Sequence, residues 1–105
     1  MARKIDAKIR QVLARYIDAV RKDHEISGAF LFGSYANGAE KFESDIDIAI
    51  LLDNIENKFD TRVVLSSYSW GIDTRIEPHP IRTEDYENSS TMLAMEVKRT
   101  GIKIA

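Results

Sequence analysis

Cysteine is absent from the sequence, which excludes disulfides and thiolate metal sites together. Proline occurs only at Pro78 and Pro80, and glycine five times in 105 residues, so no linker or low-complexity tract divides the chain. No apolar run approaches the roughly 18 residues of a membrane span, and no membrane contact is expected. The opening MARKIDAKIRQ is basic but lacks the apolar stretch of a secretory signal. These absences point to a cytoplasmic protein. An excess of positive charge is missing too. The net charge is −2, and such a balance, evenly spread, argues against strong non-specific nucleic-acid binding.

The charge is not evenly spread. Seven of the fifteen lysines and arginines fall in the first 22 positions: Arg3, Lys4, Lys8, Arg10, Arg15, Arg21 and Lys22. They read as the solvated face of a helix or as a docking face for an acidic partner. Nucleic-acid processing would need a basic strand-binding surface, and only this segment offers one. Nucleic acid is therefore not expected as the partner. With 44% hydrophobic and 30% charged residues, the chain has the composition of a globular protein, and its length predicts one domain over residues 1–105.

Hydrophobic spacing predicts the elements. Over residues 4–23, Ile5, Ile9, Val12, Leu13, Tyr16, Ile17 and Val20 recur at intervals of three and four, the stripe of an amphipathic helix. The apolar run 29–32 predicts a strand buried on both faces. Residues 45–52 begin by alternating, so that Asp45 and Asp47 project from one face of a second strand. A helix follows from Lys58, with Phe59, Val63, Val64 and Tyr68 inward and Gly71 as its stop. Residues 72–77 alternate again, placing Asp73, Arg75 and Glu77 on one face, and Pro78 and Pro80 end that ladder or confine it to an edge. A helical turn over 83–88 with Thr83 as N-cap comes next. Then come a helix over 90–99 carrying Met92, Met95 and Val97, and a closing strand over 102–105. The order describes an α/β or α+β fold, a small mixed sheet flanked by helices.

Two features carry chemistry. Gly33-Ser34 follows a strand, where a glycine lets a ligand approach the backbone and free amides attract phosphate; Ser34 is expected to cap a short helix that Gly38 closes. Asp45 and Asp47 hold like charges close together, which is unfavourable unless a cation lies between them. Magnesium suits such a pair, because it takes hard oxygen ligands and keeps water and phosphate in its shell. Glu77 adds a third carboxylate on another strand. A phosphate turn with three carboxylates is the equipment of two-metal phosphoryl transfer. His79, between two prolines, could approach a metal, but it reads rather as an exposed loop histidine. Trp70 and Tyr68 could stack on a base but read rather as core or edge packing, and Tyr35 is a candidate to line a nucleotide pocket.

The run G-S-Y-A-N-G followed by S-D-I-D resembles the signature of the polymerase-beta-type nucleotidyltransferases in their minimal form, and the element order of nearly the whole chain agrees. The resemblance implies that Gly33 and Ser34 hold the β- and γ-phosphates of a nucleoside triphosphate, with ATP as the donor. It implies that Asp45 and Asp47 bind two magnesium ions. Glu77 becomes the third metal-binding acid, favouring deprotonation of the attacking hydroxyl, with Asp73 as fallback. Attack at the α-phosphate would release pyrophosphate and leave AMP on the acceptor. Short relatives work beside a helical HEPN-type partner as the antitoxin of a toxin–antitoxin pair, which makes such a protein the expected acceptor. The alternative is a non-catalytic module acting on its partner by contact, and homo-oligomerisation stays open. Two departures stand out. Asn37 replaces the Arg or Lys common before the second glycine, with Lys41 and Arg75 as substitutes to consider, and the third acid is Glu rather than Asp.

Overall fold

The computed structural model describes residues 5–41 and 44–105. The chain enters the fold through a capped helix. Asp6 accepts a hydrogen bond from the Lys8 amide at 2.7 Å, satisfying a donor that the first helical turn would leave unpaired. Helix α1 accordingly runs Ala7–Arg21, two residues short of the expected end, while the Lys4 start lies outside the described residues. Its inward stripe is the expected one: Ile9, Leu13, Tyr16, Ile17 and Val20 are buried and Ile5 and Val12 half-buried. Each large side chain so buried contributes about 1.5–3 kcal/mol. The Tyr16 hydroxyl donates to the Leu65 carbonyl at 2.8 Å, and burial, with Tyr68 nearby, pushes this phenol well above its usual range. It remains a neutral donor.

Four strands form one mixed sheet. They are β1 (Gly28–Phe32), β2 (Ile46–Leu52), β3 (Ile76–Arg82) and β4 (Ile102–Lys103), in the order β3-β2-β1-β4. β1 runs antiparallel to β2 and to β4, whereas β2 and β3 run parallel. Because side chains alternate across a strand, β2 feeds two cores. Ile46, Ile48, Ile50 and Leu52 face one cluster with α1, Leu65 and Tyr35. Ala49 and Leu51 face the other, with Phe32, Ile81, Ala94 and Val97. Asp47 belongs by alternation to the second face, at the end where β2 begins. The remaining helices are α2 (Ser34–Asn37), α3 (Lys58–Ser67), α4 (Thr83–Asn88) and α5 (Met92–Thr100). The result is the mixed sheet flanked by helices that the sequence predicts.

Four expectations need correction. The third strand starts at Ile76 and carries both prolines inside it, while residues 72–75 lie in turns, one closed by the Ile72 and Asp73 amides on the Ser69 carbonyl and the next by the Ile76 amide on the Asp73 carbonyl. Prolines survive here because β3 is an edge strand, where a missing amide breaks no second ladder. On α3 the inward residue is Leu65, with Thr61 and Tyr68 half-buried beside it, and Phe59, Val63 and Val64 are exposed. The expected phase was set by the commonest apolar residues, but the buried stripe follows Leu65. On α5 the buried pair is Ala94 and Val97, and Met92 and Met95 face solvent. Thr83 is the first helical residue of α4, behind an Arg82 cap without a side-chain bond. For α5, Thr91 supplies a true cap to the Ala94 amide at 3.0 Å.

Candidate active site

One end of the sheet brings three segments together. The register sets Phe32 of β1 opposite Asp47 of β2, and Asp47 beside Glu77 of β3, so the end of one strand and the starts of two others meet across a single row.

The chain leaves β1 through Gly33, which has φ +76° and acts as N-cap of α2. Its carbonyl accepts from the Ala36 and Asn37 amides, both at 3.1 Å. Gly38 ends this short helix in the left-handed conformation, as helix C-termini favour. Gly33 rather than Ser34 is therefore the cap, and Ser34 is the first helical residue. A Cβ on Gly33 would collide with Asp47 Oδ2 and lie 3.2 Å from Asp47 Cγ. The glycine is required twice, by its backbone angle and by the carboxylate lying against it.

Asp47, Glu77 and His79 form the charged cluster. One donor atom from each lies within 4.8 Å of the others, and all three are half-buried. His79 Nε2 stands 3.0 Å from Asp47 Oδ1 and 3.9 Å from Glu77 Oε1, and the imidazole packs edge-on to Phe32 with ring centroids 5.0 Å apart. Arg62 of α3 donates to Glu77 Oε1 at 2.5 Å. The two carboxylates thus face one another from adjacent strands. Their oxygens are hard donors of the kind a divalent cation such as magnesium takes, and they fit one as a candidate acidic metal site.

The other expected site residues distribute differently. Asp45 is exposed, one residue before β2 begins, and stands outside the cluster. Asp73 does not share a face with Glu77: it lies in the preceding turn, chelated by Arg75 Nε at 3.0 Å and Nη2 at 2.7 Å. Those hydrogen bonds hold its carboxyl below the usual carboxylate range. Arg75 also donates to the Tyr35 hydroxyl at 2.9 Å, so it braces the Gly33–Gly38 turn against the approach to β3. Sequence reasoning set one of the site's residues aside and missed another. His79 sits in a strand rather than an exposed loop; it is two positions from Glu77, a signal hidden once the prolines were taken to end the strand. Arg62 had no signal, since only the packing of α3 beside β3 brings it to Glu77.

The chain belongs to the polymerase beta nucleotidyltransferase family, whose pattern, described as "Polymerase beta, Nucleotidyltransferase", matches residues 14–105. Among solved structures it is similar to a toxin–antitoxin protein crystallised with AMP-PNP, at 22% identity over 95% of this chain and 73% of that one, with a TM-score of 0.67. A Sulfolobus solfataricus protein described as a candidate nucleotidyltransferase is 18% identical over 91% of this chain and 80% of its own, also at 0.67. A mutant of the toxin–antitoxin pair MntA-HpeT is 25% identical over 87% of this chain and 69% of its own, at 0.64. No curated protein matches. No helix among the described residues is long and apolar enough to cross a membrane.

Proposed function

We propose that this nucleotidyltransferase moves AMP from ATP to a hydroxyl on a helical HEPN-type partner protein, as the antitoxin of a toxin–antitoxin pair. The observation that carries the reading is the row Gly33–Asp47–Glu77, where a glycine turn and two carboxylates from adjacent strands converge. The family match supports the reaction class. The similarity to MntA-HpeT, at 25% identity, supports the kind of partner.

In this reading Gly33 and Ser34 receive the β- and γ-phosphates at the start of α2. Asp47 and Glu77 would hold magnesium, with Asp45, one residue before β2, as the further carboxylate of the set. When bound, magnesium neutralises the triphosphate and polarises the α-phosphate. Glu77 favours deprotonation of the attacking hydroxyl, whose oxygen bonds to the α-phosphorus as pyrophosphate leaves. Arg62 supplies the cation that Asn37 does not, screening charge beside Glu77. Positioning and charge neutralisation provide most of the catalysis in phosphoryl transfer, so few side chains suffice.

The exposed apolar residues Phe59, Trp70 and Met92, at 74%, 78% and 84% exposure, favour a second reading, a module that silences its partner by contact alone. The two separate cleanly. Protein incubated with ATP labelled at the α-phosphate and a HEPN-type partner should label the partner, label at the γ-phosphate should not transfer, and Asp47→Asn should abolish transfer. Partner binding without any transfer by the wild type would favour the contact reading.

A further inference from the structure

β3 presents two donors on one face. Residues two apart in a strand project from the same side, so Glu77 and His79 emerge together beside Asp47 and Ala49, their register neighbours on β2. Pro78 and Pro80 fall on the opposite, buried side, and their rings fix φ on either side of His79. The Phe32 ring lies against the imidazole at 69°. Held on both flanks, the ring directs Nε2 toward both carboxylates, 3.0 Å from Asp47 and 3.9 Å from Glu77.

The separation fits coordination. Two ligands at adjacent corners of an octahedron, with bonds of about 2.1 Å, stand roughly 3 Å apart. A hydrogen bond to Asp47 accounts for the 3.0 Å contact; Glu77 Oε1, which also accepts from Arg62, lies 3.9 Å from the same nitrogen. Asp47 is itself backed by Gly33, so three donor atoms are set around one point by strand register, two prolines and a glycine.

We propose that His79 Nε2 is a direct ligand of the divalent cation at this site, and that its nitrogen makes the site select manganese-class transition ions over magnesium. Magnesium keeps oxygen ligands, whereas imidazole suits the transition divalents. The proposal rests on the reading of Asp47 and Glu77 as metal-binding acids. It adds a nitrogen donor to a site that the sequence presents as all-carboxylate.

The test is pulsed electron paramagnetic resonance on the intact protein loaded with Mn2+, beside His79→Gln, which keeps an amide able to donate to Asp47, and His79→Ala. Wild type should show nitrogen hyperfine coupling to the bound ion, and both variants, verified as folded by circular dichroism, should lose it. Competition between Mn2+ and Mg2+ should show the preference for manganese falling about tenfold in His79→Gln. Bound manganese without nitrogen coupling, or an unchanged preference in the variant, would overturn the ligand role and leave the nucleotidyltransferase reading intact. A folded wild type that binds neither ion, with or without ATP, would overturn both.

Discussion

Gly33→Ala probes the joint between phosphate turn and carboxylate, and a second glycine supplies its control. Gly33 and Gly71 both have positive φ, at 76° and 82°, but a Cβ on Gly71 meets nothing within 4 Å whereas one on Gly33 strikes the Asp47 carboxylate. Alanine at Gly71 therefore incurs only backbone strain, about 1 kcal/mol. Alanine at Gly33, whose ψ of −151° places it in a region that essentially only glycine adopts, incurs at least that strain and must also push the Asp47 carboxylate out of its place, for a total of roughly 2–3 kcal/mol. For a domain of this size, 1 kcal/mol moves the midpoint by roughly 4–8 °C. Thermal melts should then rank wild type above Gly71→Ala above Gly33→Ala. Divalent and nucleotide binding by calorimetry should survive at Gly71 and fail at Gly33. Equal melting losses with nucleotide binding intact in both variants would refute the claim that Gly33 is there to admit Asp47.

Tyr16→Phe removes the shorter of two hydrogen bonds to the Leu65 carbonyl, leaving the one from the Tyr68 amide at 3.4 Å, and should lower unfolding free energy by about 0.5–1.5 kcal/mol in urea titrations, without touching nucleotide binding. Arg62→Gln removes the cation at Glu77; calorimetry should find free divalents binding about threefold tighter, a modest gain because both partners are partly exposed and screened. The Asp73 carboxyl, held by Arg75 below its ordinary value of 3.8, has a folded pKa lower than its unfolded one, so its contribution is complete at neutral pH and fades as pH falls through that range. Asp73→Asn should melt below wild type at pH 7, and the gap should narrow below about pH 4.

The legible parts of this protein were those governed by local pattern. The α1 stripe from Ile9 to Val20, the two-faced strand over 29–32 and the Gly33–Gly38 turn follow from spacing and glycine chemistry alone. The illegible parts depend on what packs against what. Pro78 and Pro80 read either as terminators or as marks of an edge strand; β3 is that edge strand, and the error was to end the strand at Glu77, ahead of them. That error displaced β3 by four residues, put Asp73 on the wrong face and hid His79. On α3, three exposed apolar side chains outnumber the single buried Leu65, and no rule of periodicity says which a core will choose. The pairing of Asp47 with Glu77 was anticipated as chemistry, but its geometry is a consequence of parallel register, which no single segment encodes.

The most direct measurement is calorimetric titration of the protein with ATP, with and without magnesium, beside the Asp45→Asn, Asp47→Asn double variant. The account predicts binding that requires magnesium and disappears in the folded double variant. A folded wild type that binds no nucleotide in magnesium, or a double variant that binds as well as wild type, would contradict the assignment of these carboxylates to nucleotidyl transfer.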